Sequence, residues 1–147
     1  MAPERLPRRH VPSPRPYARR GRPIFGLIEC DAAGGVLQRK EAGGFSLPRS
    51  GGACPLWPLY RALSQPGQPL RRRLASPDGA ERLAWAIAEA GPAEDYDAPP
   101  PMTAAMLFTS DPGLLSQVDA PTLEIGPQCG ICPREGCASR RSLFLLG

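Results

Sequence analysis

Apolar and polar positions begin to alternate just after Pro23. Ile24, Gly26, Ile28 and Cys30 fall on one side of a period-two pattern and Phe25, Leu27 and Glu29 on the other, which predicts a strand. Asp31 to Gly35 holds two glycines able to take positive φ and predicts a turn, so that residues 36–40 return as the partner strand of a hairpin. Residues 43–52 form a Gly-rich loop. An apolar run then opens at Cys54-Pro55, in which Leu56, Tyr60 and Leu63 repeat at i, i+4 and i+7. That stripe predicts a helix over about residues 55–64, with Pro55 suited to its first position and Gln65-Pro66-Gly67 ending it. Residues 69–90 support two readings. Ser76-Pro77 and Gly91-Pro92 bracket an Ala-rich stretch that propensity favours as a helix. Pro77-Asp78-Gly79 instead reads as a hairpin turn, with Leu83, Trp85 and Ile87 facing the core at period two; this is the preferred reading. Residues 92–101 are a Pro-rich loop, 103–109 a strand, and 111–120 a loop or a turn of helix. The expected class is α+β: a mostly antiparallel sheet with one or two helices and a C-terminal cysteine cluster stapled to the start of the 55–64 helix.

Composition sharpens the boundaries. At 147 residues, 41% hydrophobic and 22% charged, the chain suits one domain with one core. Its 16 Gly and 20 Pro approach the level at which disorder becomes the default, but the prolines crowd the first 23 residues and the 92–101 stretch. Arg5, Arg8, Arg9, Arg15, Arg19, Arg20 and Arg22 face one acid, Glu4, so residues 1–22 read as a disordered basic arm. The formal net charge of +4 belongs to that arm, because residues 23–147 hold 11 basic and 13 acidic groups. Charge alone therefore gives the domain no nucleic-acid surface. No apolar run is long enough for a membrane span. The arm lacks the apolar segment of a secretory signal, and Pro3, Pro7, Pro12, Pro14 and Pro16 would break the helix of a transit peptide. A cytoplasmic protein is expected.

The chemistry concentrates in cysteine. CGICPREGC at 129–137 has the spacing C-x2-C-x4-C, with Gly130 and Gly136 easing the turns before Cys132 and Cys137. Three thiolates leave one position to fill, and Cys54, which like Cys132 precedes a proline, is the expected fourth donor. The only histidine is His10, in the arm, which removes histidine-containing zinc, iron and Rieske sites from the domain. An all-cysteine set suits an iron–sulfur cluster or zinc; disulfides or plain thiols are the remaining readings. Joining Cys54 to Cys129 closes a loop of about 75 residues, tying the end of the chain to its middle. Cys30, inside an apolar strand, reads as core.

Two segments carry a resemblance. GGFSLPRSGGACPLWPLYRALSQPGQPLRRRLASPDG together with CGICPREGCASRR resembles the C-terminal domain of bacterial short-chain fatty-acyl-CoA-responsive transcription regulators of propionate and glyoxylate metabolism. The likeness covers about residues 23–142. It implies a sensor domain that binds acyl-CoA and carries a 4Fe-4S cluster, whose cysteines map onto Cys54, Cys129, Cys132 and Cys137. It assigns no acyl-CoA contacts residue by residue. Such regulators begin with a helix-turn-helix, which residues 1–22 cannot hold, so DNA contact is expected through a separate DNA-binding partner or through the basic arm. A homodimer is kept open as an assembly.

Other constellations weigh less. Arg71, Arg72 and Arg73 could meet CoA phosphates, although alternate residues of a strand share a face and a charged edge is the plainer reading. Trp57, Tyr60 and Trp85 could stack an adenine but more often pack a core. The chain has no phosphate-binding G-x-x-x-x-G-K-[ST] loop, no G-x-S-x-G elbow and no domain histidine, so no enzyme is expected. A small iron–sulfur redox protein and a zinc-stapled adaptor are the alternatives to the sensor.

Overall fold

The computed structural model describes residues 21–48 and 52–143; the predicted basic arm lies, up to residue 20, outside them. Strand β1 (Gly26–Asp31) pairs antiparallel with β2 (Val36–Lys40) across a turn in which Gly34 takes φ +83°. Helix α1 (Pro58–Ala62) follows, then β3 (Leu70–Ala75) and β4 (Glu81–Ala90), which pair antiparallel. Strand β5 (Met102–Thr109) lies antiparallel between β1 and β4. After α2 (Pro112–Gln117), the short β6 (Thr122–Glu124) runs parallel to β3 at the sheet edge. Among the described residues the sheet order is β2-β1-β5-β4-β3-β6. The α+β class and the mostly antiparallel sheet therefore hold.

One face of the sheet carries the core. Ile28 and Cys30 of β1, Leu74 of β3, Ala84, Ala86 and Ala88 of β4, and Ala104, Met106 and Phe108 of β5 are buried there. Leu59 and Ala62 of α1 join them, with Trp57 and Phe45 packed at 4.9 Å between ring centroids and Phe45 against Phe108 at 4.8 Å. The alanines of the two central strands leave room for the helix and the three rings.

Three expectations are corrected. The helix begins at Pro58, since Cys54 to Trp57 forms a turn in which the Trp57 N–H donates to the Cys54 carbonyl at 3.1 Å. Its buried residues are Pro58, Leu59 and Ala62, while Leu56, Tyr60 and Leu63 of the expected stripe are half-buried at its flank. The 76–80 turn is a hairpin as preferred, but its faces are reversed: Ala84, Ala86 and Ala88 meet the core, and Leu83, Trp85 and Ile87 point the other way. The physical reason is a second layer. Arg73, opposite Leu83 in the register, donates to the Leu115 and Val118 carbonyls at the end of α2, which brings α2 over β4 and leaves Leu83 fully buried. Ile24, which the alternation includes, precedes the strand that starts at Gly26 and is 67% exposed.

Candidate functional site

Cys54 is fixed by main-chain bonds at the turn before α1. Its N–H donates to the Pro127 carbonyl at 2.9 Å, and the buried Trp57 indole N–H donates to the Gly126 carbonyl at 2.8 Å. The Gly126 N–H in turn donates to Cys54 Sγ at 3.4 Å. The segment after β6 is thus clamped to the start of α1 from both sides. Gly126 is also a spacer: a Cβ built there would sit 2.5 Å from Cys132 Sγ and 4.0 Å from Cys54 Sγ. A side chain at this position would push two sulfurs apart.

The other three cysteines lie on the loop that follows. Cys129 opens a single 3-10 turn (Cys129–Ile131), and the Cys132 N–H donates back to the Cys129 carbonyl at 3.4 Å. Gly136, at φ +66°, turns the chain ahead of Cys137 as expected, whereas Gly130 keeps an ordinary negative φ. Two arginines clasp the loop. Arg140 donates to the carbonyls of Cys129 at 2.8 Å and Cys132 at 3.0 Å, and also to that of Arg134. Arg134 donates to the carbonyls of Ile125 at 3.1 Å and Ala75 at 2.9 Å, and pairs with Glu124 at 3.4 Å. The Arg141 N–H reaches Cys129 Sγ at 3.4 Å.

Cys54, Cys129, Cys132 and Cys137 line one cavity of about 20 Å³, together with Gly126, Arg134 and Arg140. All are free thiols; Cys54 and Cys132 are buried, Cys129 and Cys137 half-buried. Burial pushes the Cys54 thiol above its ordinary range, and the Gly126 N–H pulls partly against that shift. Among the described residues no group of three or more His, Cys, Asp or Glu is placed to hold a metal ion as the side chains stand. Cys30 is not part of the cavity lining and is fully buried in the core; burial, then the Asp31 charge, raises its thiol.

The remaining candidates are structural. Arg73 holds α2 and pairs with Glu81 at 3.5 Å, and Arg72 bonds the neighbouring Arg71 carbonyl. Trp57 is core, Trp85 packs on Phe25 at 6.1 Å, and the Tyr60 hydroxyl accepts the Ala53 N–H at 3.2 Å. His10 lies outside the described residues. Sequence reasoning passed over Gly126 and Arg140. A glycine directly preceding a Pro-Gln-Cys run and an arginine three residues after Cys137 were their only signals.

Residues 15–145 match the family described as "Short-chain fatty acyl coenzyme A regulator, C-terminal". The chain belongs to this family. It is 35% identical, over 86% of its own length, to the propionyl-CoA carboxylase regulator of Cereibacter sphaeroides, of which it covers 28%. It is 30% identical, over 84% of its length, to the HTH-type transcriptional regulator PrpR of Mycobacterium tuberculosis, of which it covers 27%. The chain thus spans about a quarter of the length of these curated relatives. A solved structure of a Mycobacterium tuberculosis transcriptional regulator superposes with a TM-score of 0.72 at 32% identity, covering 90% of this chain and 43% of that one. Among the described residues no helix is long and apolar enough to cross a membrane.

Proposed function

We propose that this chain is the cysteine-cluster sensor domain of a transcriptional regulator that responds to short-chain acyl-CoA, to redox state or to both. The observation that carries the reading is the meeting of four thiols from two distant segments, 54 and 129–137, around one cavity in a member of this regulator family. Cys54, Cys129, Cys132 and Cys137 would hold a 4Fe-4S cluster. The donor set suits it: thiolate ligation without histidine selects iron–sulfur or zinc. When bound, a cluster supplies a one-electron couple whose potential depends on charge and on hydrogen bonds to sulfur.

This chain's own residues set those conditions. The Gly126 and Arg141 N–H groups donate to Cys54 and Cys129 sulfur. Arg134 and Arg140 place positive charge beside the thiols while holding the loop carbonyls. Loss of the bound group would loosen the loop and, through the Trp57–Gly126 bond, the start of α1. That path makes occupancy legible to the rest of a regulator. DNA contact would come through a partner DNA-binding domain or through residues 1–22, in a cytoplasmic regulatory role without catalysis.

One observation favours a second reading. The cavity between the four thiols is small, about 20 Å³, and an all-thiolate set also holds a single zinc ion, so a zinc staple is the alternative. Anaerobic purification with a visible spectrum and iron, sulfide and zinc analysis separates the two. A brown protein with iron and sulfide in equal amounts, and a colourless Cys54→Ser variant, is the expected result. Stoichiometric zinc without iron would make the site a staple. Titration with propionyl-CoA then tests ligand response; a reversible redox couple with no CoA affinity would point to a small redox protein instead.

A further inference from the structure

A second cleft lies beside the cysteine site. The 43–46 loop, the 76–80 hairpin turn and the segment after β6 converge on an open cavity of about 370 Å³, near the lower end of small-molecule pockets. Its walls are apolar: the Phe45 ring and three prolines, Pro77, Pro127 and Pro133. Arg82, only 5% exposed, lines it. This arginine sits on the core-facing side of β4, two residues before Ala84, a position where pattern alone demands an apolar residue.

The guanidinium is poorly satisfied. It stacks on Phe45 with its carbon 4.6 Å from the ring centroid, bonds Ser76 Oγ at 3.1 Å, and reaches the Gly43 carbonyl only at 3.5 Å. Its Nε is buried with no hydrogen-bond partner. Among the described residues the ion pairs are Arg73–Glu81 and Arg134–Glu124, so no carboxylate is in direct contact with it, and Asp78 acts on it only from a distance across the lining. Asp78, the acid of the lining, accepts the Ala80 N–H at 3.0 Å within its own turn. A buried cation without a directly paired counter-ion is costly, and a guest anion in contact with it offsets that cost.

We propose that this cleft binds a short-chain monocarboxylate, its carboxylate on the Arg82 guanidinium and its alkyl part against Phe45 and the prolines. Stacking on Phe45 uses the face of the guanidinium, which leaves the in-plane N–H groups not bonded to Ser76 and Gly43 for a planar carboxylate. A phosphate would want several donors, and the three wall prolines offer no N–H. A second negative charge would meet Asp78. Gly126 and Pro133 belong to both the cleft and the cysteine loop region, but the proposal stands whatever the cysteine cavity holds.

The test is calorimetric titration of the full chain with propionate and butyrate, with propionamide and inorganic phosphate as comparisons. Two variants accompany it: Arg82→Lys, which keeps the charge but loses the fork, and Ser46→Leu, which fills the cleft from an exposed position without touching the core. The expected result is saturable binding of a carboxylate, weakened by about ten-fold or more in Arg82→Lys and lost in Ser46→Leu at an unchanged melting temperature. If Arg82→Lys does not fold, Ser46→Leu decides. The proposal is overturned by no saturable carboxylate binding up to about 10 mM, by equal affinity for propionamide, by tighter binding of phosphate, or by undiminished binding in the variants.

Discussion

The two halves of the cysteine site are held by different means. Cys54 belongs to the core: its neighbour Trp57 is fully buried, and backbone bonds tie it to the segment after β6. Cys129, Cys132 and Cys137 sit on a loop whose carbonyls are gathered by the guanidinium groups of Arg134 and Arg140. One half is therefore as stable as the fold, while the other is as stable as two side-chain clasps and whatever the thiols bind.

The contrast can be broken most strongly from the core side. Trp57→Ala is expected to cost about 3–5 kcal/mol in chemical denaturation, through the cavity it leaves between Phe45 and α1. Trp57→Phe keeps most of the packing but strands the buried Gly126 carbonyl, for about 1–3 kcal/mol. Gly126→Ala comes next, since its methyl collides with Cys132 Sγ. A loss of about 1–3 kcal/mol is expected, with metal or cluster content falling in step when measured on the purified protein.

Arg140→Ala acts on the other half. Hydrogen exchange is expected to rise across residues 128–141, whose local opening becomes easier by about 1–2 kcal/mol, and to stay near the wild-type level in β4 and β5. Equal loss of protection in the central strands would erase the distinction between the halves. The smallest effect concerns Cys30, outside the site. Its folded thiol is raised by burial and by Asp31, so the folded state keeps the proton after the unfolded chain has lost it. Stability should therefore decline as pH climbs above about 8.5, and Cys30→Ala should remove that part of the decline in a pH series of melting curves, with metal content unchanged.

Much of this was legible from local pattern. The β1–β2 hairpin announced itself by alternation around a Gly-containing turn, and Pro77-Asp78-Gly79 placed the second hairpin against the helical propensity of an Ala-rich stretch. The spacing of the four cysteines and the absence of a domain histidine made them candidates for one set, and they line one cavity. Which way β4 faces was not legible. Large residues normally mark the core side, but β4 is covered on both faces, and the helix and aromatic cluster packed on alanine while Leu83 and Trp85 went to the face shared with α2.

By itself, then, the sequence determined the hairpin turns, the α+β class and the family, all of which depend on short-range periodicity or on residue type. Only the tertiary structure decided which face of β4 is the core, that Gly126 separates two sulfurs, that Arg134 and Arg140 hold the cysteine loop, and that Arg82 is a buried cation lining an apolar cleft. The Gly126–Cys54 and Arg134–Ala75 contacts join residues 72 and 59 positions apart, whereas Arg140 folds back over 8 and 11 residues onto Cys132 and Cys129. A glycine or an arginine carries no mark in the sequence of the partner that long-range packing will bring to it.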